Sequence, residues 1–536
     1  MIQYKRKKYG IFSGIIVFLF IFGLYMMRPD PEWSKYYPPT TGNTCTIFLI
    51  DGLSSDIFKE ELQAGRLPVM KKMIDEGIFT QNGISSFPTM TGYGFYPFIT
   101  GVDATESGIL GLRWFDRKRK EGNLRNYVGR TNIHMNGDLV DSIKNVFQLS
   151  SPFYTASINT FMDEGVQHNL KTGWSHTTAK YEGRSIFKWL RMIPFFGKSW
   201  AKNHFEHETE ATKLAIRQLN KNPKVHWITY PSPDAYNHVS GTDETYRKLI
   251  HHIDSLIGVY ISEVESLGQD TQRMIAVVSD HGISDVNKNI DFCVWMKDSF
   301  GLDIERGKSV HVFSSSLDQP LEEIKSKDGY FVINGNLTAY LYMKNPDQPF
   351  PQNWSDPLPY HLLTRHPAKG GFIDLPKILS KNEDLELILY KDDQKKVVIR
   401  KGKQLAHLSF TVQGIKYETA GGNPLSYPDS LMGKSFSASE WLLKTTETEF
   451  PYAVPRIWKL MNAPGIGDIV MTSRKGVDLA NDYEIFVGNY KGGHGGLRKE
   501  IITVPYIIKM PKGQSKKIKA LRNEDMGKMV KKHLGY

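Results

Sequence analysis

The sequence predicts an α/β protein: a mostly parallel central sheet with helices on both faces, an inserted α+β region, and one N-terminal transmembrane helix. Three observations predict it. Short β-branched apolar runs alternate with amphipathic stretches, the pattern of strand–helix–strand units. Between residues 295 and 455 the pattern changes to hairpin-like runs broken by Pro, Gly and Asn. Ahead of both, a basic cluster precedes an uncharged apolar run. With 536 residues the chain can bury a large core. Its 40% hydrophobic and 23% charged residues argue against a disordered, collagen-like or polytopic membrane protein.

Taken in order, residues 1–10 form a basic tail with Lys5, Arg6, Lys7 and Lys8. Residues 11–27 carry no charge and sit at the short end of the roughly 17–25 residues that span a bilayer. No small-residue cleavage site follows, so the run reads as an uncleaved signal anchor. Its basic flank places the N-terminus in the cytoplasm and the remaining chain in the periplasm or outside the cell. Residues 28–43, with Pro29, Pro31, Pro38 and Pro39, read as a linker.

Thr44 to Ile50 reads as a buried strand stopped by Asp51-Gly52, followed by helical periodicity over 55–76 and a second strand over 84–87. His207 to Leu219 then reads as a helix and Val225 to Tyr230 as a strand. Glu244 to Leu267 is a long amphipathic helix whose face is Leu249, Ile253, Leu256, Ile257, Tyr260, Ile261 and Val264. Met274 to Ser279 is a further buried strand. The main domain is thus expected over 43–294 and 456–536, with a cap inserted at 295–455 that includes hairpin-like strands over 385–408. Strands over 483–487 and 501–508 should return to the main sheet, and 523–534 should close it as a helix.

The formal charge of +11 is partly the N-terminal cluster, and the rest is spread apart from Lys516, Lys517 and Lys519. No recognition motif accompanies it, so nucleic-acid binding is not expected. The two cysteines, Cys45 and Cys293, cannot build a disulfide scaffold or a thiolate-rich site. Whether they pair is open. A metal would have to be held by His and carboxylates.

Ligands of open α/β sheets sit at the carboxyl ends of strands, and three strong runs lead into aspartates: Asp51, Asp234 and Asp280. Each has company. His238 lies four residues after Asp234, His281 directly follows Asp280, and His494 is flanked by glycine pairs. Three Asp and three His form a mixed set that suits Zn²⁺ or Mn²⁺ better than Ca²⁺, and six ligands suffice for two ions. Such a pair could clamp the attacking and leaving oxygens of a displacement at phosphorus. A hydroxyl nucleophile is available in Pro88-Thr89-Met90-Thr91, just before residues 93–100, which could begin a helix; either threonine qualifies from position alone.

Leu49-Ile50-Asp51-Gly52, Pro88-Thr89-Met90-Thr91 with Thr100-Gly101, Pro233-Asp234 with His238, Ser279-Asp280-His281-Gly282 and Gly493-His494-Gly495 together resemble the alkaline phosphatase superfamily, nearest its nucleotide pyrophosphatase/phosphodiesterase branch. The resemblance implies an alkaline phosphatase-like fold and two zinc ions. One would be held by Asp51, Asp280 and His281 with the nucleophile, the other by Asp234, His238 and His494. It also implies that the nucleophile is Thr91. Two departures stand out: Gly92-Tyr93-Gly94 replaces the family's usual Phe-Pro-Asn, and Leu112 occupies the place of an Asn that binds a phosphoryl oxygen. The Cys-x-Pro-x-Arg signature of the related sulfatases is absent.

The implied activity is that of a membrane-anchored two-zinc phosphodiesterase or phosphohydrolase working through a phosphothreonine. Its substrate would be a phosphate ester, lipid-linked or nucleotide. A head-group transferase and an inactive scaffold on the same fold are the alternatives. Beside Leu112, Arg113 could reach a phosphoryl oxygen and Trp114 could wall the group beyond it, with diesters preferred.

Overall fold

The computed structural model describes residues 17–18, 31–118, 124–128, 132, 134–170, 200–307, 321–479, 490–511 and 513–536. The predicted anchor at 11–27 lies outside these apart from Val17 and Phe18, and among the described residues no helix is long and apolar enough to cross a membrane. The predicted strand at 483–487 also lies outside them.

The main sheet contains β1 (Thr44–Ile50), β2 (Ile78–Ile84), β3 (Ala156–Ile158), β4 (His168–Leu170), β5 (Val225–Tyr230), β6 (Arg273–Val278) and β7 (Thr503–Lys509). Across the sheet they run β2-β7-β6-β1-β5-β3-β4, with two short C-terminal strands, Lys516–Lys517 and Leu521–Arg522, pairing with β2. The five strands from β6 to β4 are mutually parallel, and β7 is antiparallel to both its neighbours. The expected mostly parallel sheet is therefore present.

Alternation along β1 explains the layering. Cys45, Ile47 and Leu49 face one core, and Phe48 and Ile50 face the other. The second core is covered by α1 (Ser55–Gln63), α2 (Pro68–Glu76), α3 (Trp200–Leu219), α4 (Ser232–Ser240) and α5 (Glu244–Ser266). On α5 the predicted apolar face is buried except Ile261, which packs half-buried against the same core.

Three expectations need correction. The helix predicted over 55–76 is two helices, because Gly65 turns the chain at φ +73° and Pro68 then starts a new helix; Leu67 before it is outside the helical region at φ −121°, ψ 63°. The second strand runs over 78–84, not 84–87. Its polar stretch Thr80-Gln81-Asn82-Gly83 hid it, and beyond Ile84 the Ser85 hydroxyl bonds the carbonyl of Asp280. The strand expected over 501–508 begins two residues late, after a helical turn at Lys499–Ile502.

The second sheet has nine strands, in the order 304–306, 329–334, 338–343, 469–473, 385–391, 397–401, 404–411, 414–420 and 435–436. All neighbours are antiparallel except the first pair. The hairpins read over 385–408 are there, and the strand Ile469–Ser473 shows that this sheet draws chain from beyond residue 455.

Two further helices, α6 (Ala453–Asn462) and α7 (Asn523–Leu534), lie against the first core and are joined to the main sheet by one arginine. Arg456, 2% exposed, donates from Nε to the Ser85 carbonyl at 2.9 Å and from Nη2 to Asn523 Oδ1 at 2.9 Å and Glu524 at 2.8 Å. It also pairs with Asp103. Burial alone would raise the Asp103 carboxyl, but Arg456 and Lys459 hold it down at about 2. Removing the guanidinium would leave Asp103 with the half-exposed Lys459 and Glu524 with Arg522 at 3.7 Å in place of their buried partner. Arg456→Met is therefore expected to cost about 3–5 kcal/mol of stability. Urea denaturation checks this, and a loss under about 1 kcal/mol, the worth of an exposed ion pair, would show that the cluster holds nothing together.

Candidate active site

Parallel pairing brings the carboxyl ends of β1, β5 and β6 level: Leu49 is opposite both Thr229 and Val278. The chain then leaves each strand in the same direction, and the acidic residues meet. Asp51 follows β1 directly, and Asp280 and His281 stand in the loop two residues past β6, where they escape the strand's alternation. Asp234 and His238 lie on α4, where a spacing of four puts both on one face. Gly52 permits this convergence: its φ is +67°, and a Cβ there would lie 3.0 Å from the Asp234 Cβ.

Two groups of three result. The ligating atoms of Asp51, Asp280 and His281 lie within 4.8 Å of one another, as do those of Asp234, His238 and His494. The groups adjoin, since the rings of His281 and His494 stack with centroids 3.7 Å apart and His494 Nε2 is 3.7 Å from Asp234 Oδ1. The Thr91 hydroxyl stands at the edge of the first group, 3.3 Å from Asp51 Oδ1 and 3.2 Å from His281 Nε2.

Every histidine is oriented by its other nitrogen. Nδ1 meets the Gly492 carbonyl at 2.9 Å in His238, the Gly282 carbonyl at 3.0 Å in His281 and the Thr89 carbonyl at 2.8 Å in His494. Carbonyls only accept, so each Nδ1 carries the proton and each Nε2 presents its lone pair to the centre.

The carboxylates are the evidence that this centre is built for cations. Asp280 is wholly buried, yet no hydrogen bond of ordinary geometry reaches either of its carboxylate oxygens, nor Oδ1 of Asp234. Burial, then the neighbouring charges of Asp280 and Asp234, push the Asp51 carboxyl well above its usual range, and burial with Asp234 does the same to Asp280. Burial would also raise Asp234, but His238 and His494 outweigh it and hold this carboxyl low. Carboxylates clustered against imidazole nitrogens fit divalent metal, with oxygen and nitrogen donors and no thiolate.

Thr89 and Thr91 do different things. The Thr89 hydroxyl donates to the Gly496 carbonyl at 3.2 Å and accepts from the Gly495 N–H at 2.8 Å, tying the nucleophile loop to the His494 loop. From the other side, the second sheet's turn at residues 335–337 holds that loop: His494 N–H donates to Gly335, and Leu337 N–H to His494, both at 3.0 Å. The inserted region is thus part of the site's support. The Asn334-Gly335-Asn336 run was the available sequence signal, since hairpin turns favour such residues and both Gly335 and Asn336 have positive φ.

The structure does not gather Arg113 and Trp114 into the two groups. They lie in the strand Arg113–Phe115, both buried. The Arg113 N–H donates to Asn334 Oδ1 at 3.1 Å and its guanidinium to the Ile333 carbonyl at 3.4 Å, while the Trp114 indole N–H meets the Tyr127 hydroxyl at 3.3 Å. Cys45 and Cys293 are free thiols, one buried and one half-buried.

A residue that the sequence did not single out carries α4. Glu208 on α3 is wholly buried; its Oε1 accepts the Ser232 N–H at 2.7 Å at the start of the helix that holds Asp234 and His238, and its Oε2 has no hydrogen-bond partner. Burial pushes its carboxyl up from 4.5 to about 8. The folded chain therefore keeps this proton to higher pH than the unfolded chain, and folding stability should fall as pH rises from 4.5 to about 8. Glu208→Gln keeps the acceptor and removes the titration. It should be more stable than wild type at pH 8 and flatter across that window in a pH series of unfolding midpoints; parallel curves would refute the assignment.

With this geometry in place, comparison with known proteins is informative. The family model for type I phosphodiesterase / nucleotide pyrophosphatase matches residues 46–354. Human bis(5'-adenosyl)-triphosphatase ENPP4 is 23% identical over 252 residues, 46% of this chain and 49% of the relative. Mouse ectonucleotide pyrophosphatase/phosphodiesterase family member 1 is 21% identical over 249 residues, 46% of this chain and 24% of the relative. The matched stretch thus spans half or less of these relatives. Among solved structures, murine ectonucleotide pyrophosphatase / phosphodiesterase 5 covers 92% of this chain and 95% of its own, at 12% identity and a TM-score of 0.49. Phosphonoacetate hydrolase from Sinorhizobium meliloti covers 94% and 98%, at 13% identity and the same TM-score.

Proposed function

The chain belongs to the type I phosphodiesterase / nucleotide pyrophosphatase family, and from that premise we propose that it hydrolyses phosphate diesters or nucleotide pyrophosphates with Thr91 as nucleophile. The observation that carries this reading is the placement of one hydroxyl, that of Thr91, within 3.3 Å of both Asp51 and His281 at the edge of two adjoining ligand groups. Zn²⁺ suits the mixed nitrogen and oxygen donors, with Mn²⁺ as the alternative. Divalent ions at Asp51, Asp280 and His281 and at Asp234, His238 and His494 would lower the pKa of the Thr91 hydroxyl and offset charge on the phosphoryl and leaving oxygens.

The chain's own residues do the rest. The Thr91 hydroxyl loses its proton to solvent and its oxygen bonds to phosphorus as the ester oxygen leaves from the opposite side as an alkoxide, which takes a proton from solvent. Water then attacks the phosphothreonine from the vacated side, breaks the bond to Thr91 and restores its hydroxyl. The carbonyls at Nδ1 keep all three imidazoles oriented throughout. Thr89 keeps the nucleophile loop in register with His494.

Thr91→Ala should lose several orders of magnitude in turnover of a diester or nucleotide pyrophosphate while keeping its metal, because the six other ligands remain. Thr89→Ala should keep part of its turnover and lose thermal stability. Assays with metal analysis decide, and the assignment falls if Thr91→Ala is active while Thr89→Ala is not. Adding an acceptor alcohol to the same assays separates a hydrolase from a head-group transferase.

The reading extends to location: residues 11–27 anchor the chain, and the catalytic domain lies outside the cytoplasm. The basic flank and the uncharged run support this. A C-terminal reporter that works only after export should be active; activity of one that works only in the cytoplasm would reverse the topology.

A further inference from the structure

The prolines of residues 28–43 suggested a free linker, but from Glu32 onward this segment is a strap docked on the domain. The Arg217 guanidinium lies over the Trp33 ring at 3.9 Å, and Lys221 Nζ donates to the Glu32 and Lys35 carbonyls, both at 2.8 Å. Tyr37 packs on Tyr154 with ring centroids 4.8 Å apart. The Thr40 hydroxyl donates to the Asn222 carbonyl at 2.5 Å, and Lys224 Nζ to that of Thr41 at 2.8 Å.

These partners share one location. Asn222 and Lys224 lead into β5, Tyr154 leads into β3, and the strap itself feeds β1. The strap therefore crosses the floor of the sheet, at the amino ends of the parallel strands. The active site is at their carboxyl ends, and β1 alone, with seven residues, separates the two by about 23 Å.

The floor carries the features of a membrane-facing surface. Tyr36 is 83% exposed while its neighbour Tyr37 is docked, and a tyrosine presented this way suits the headgroup layer. The strap around it carries Lys35 and is held by Arg217 and Lys221, and farther along the same floor the end of α7 carries Lys531 and Lys532. The last turn of α7 is held to this floor, since the Asn43 amide donates to the His533 carbonyl at 2.8 Å. Acidic residues at this end include Glu32, which pairs with Lys35 at 3.3 Å, Asp270 in the turn before β6, and Glu265 near the end of α5, which pairs with Lys509 at 3.4 Å. Residues 28–31, four in all, can bridge at most about 14 Å between the predicted span and the strap.

We propose that this floor rests on an anionic lipid surface and that the active site opens away from it. The substrate is then a water-borne phosphodiester and not a lipid of the enzyme's own bilayer. The inference rests on the anchored, extracytoplasmic reading above, and it replaces lipid-linked by soluble substrates.

The test uses the full chain, with zinc, reconstituted into phosphatidylcholine–phosphatidylglycerol vesicles containing a nitroxide-labelled lipid. In a Cys293→Ser background, one fluorophore is placed at Lys532→Cys on the floor and, in a separate protein, at Lys491→Cys beside the active-site rim. Quenching should be several-fold stronger at 532; equal or reversed quenching overturns the orientation. A chain that does not float with vesicles overturns the anchor and the orientation with it. On the same vesicles a soluble aryl phosphodiester should be turned over and phosphatidylglycerol should not. Turnover of the lipid by chains in its own bilayer overturns the substrate assignment. If neither ester is turned over while 532 is quenched, the catalytic reading fails and the orientation stands.

Discussion

Three clustered carboxylates, two buried and one half-buried, at one end of a parallel sheet are the constraint around which the rest of this structure is arranged. Asp51 and Asp280 are buried; the charge of Asp280 raises the cost of ionising Asp51, and that of Asp234 does the same to Asp280. A protein stabilises such a cluster by protonation, by basic side chains or by metal. Among the described residues no lysine or arginine pairs with these carboxylates, and the groups that face them are imidazoles whose outer nitrogens donate to carbonyls. The result is a set of imidazole nitrogens and carboxylate oxygens whose chemistry suits cations between them.

That arrangement has structural consequences beyond the ligands. His494 arrives on a loop with glycine on both sides, and such a loop has little intrinsic preference for one conformation. Its position is imposed by two partners, Thr89 from the nucleophile loop and residues 335–337 from the second sheet. The inserted region is therefore joined to the chemistry through a backbone contact. On the other side, Arg456 fixes the end of β2, whose next residue bonds the Asp280 carbonyl. The nucleophile loop lies between these two supports. Its threonine can be held close to two ligands because both ends of the loop are tied to neighbouring elements.

How much of this was legible in the sequence follows from the range of each interaction. The strands β1, β5 and β6 were readable because burial on both faces makes them continuous apolar runs, and their termination by Asp marked the site. The grouping of the six ligands came only from family resemblance, since nothing local in Gly-His-Gly says which aspartate it will meet. β2 was misplaced because its polar middle residues carry no apolar run. The break after Gln63 was written in Gly65 and Pro68 but lost in an otherwise helical periodicity. Glu208, Arg456 and the docking of residues 32–41 were illegible. Each depends on partners far away in the chain, and a lone Glu or Arg in a helix looks the same whether it is solvated or buried.

Arg113 shows how burial changes a chemical argument. Beside Leu112, which cannot donate a hydrogen bond from its side chain, an exposed arginine would add positive charge for the second ionisation of a monoester. The side chain is instead 1% exposed, and its guanidinium meets a carbonyl of the second sheet while its N–H meets Asn334. It fastens the strand Arg113–Phe115 to the inserted region. Under the proposed mechanism, positive charge for the non-bridging oxygens then comes from the two ligand groups and not from this segment. A diester, with one such charge, needs less than a monoester with two. The same burial that removes Arg113 from the substrate therefore argues for the diester that the family relation suggests.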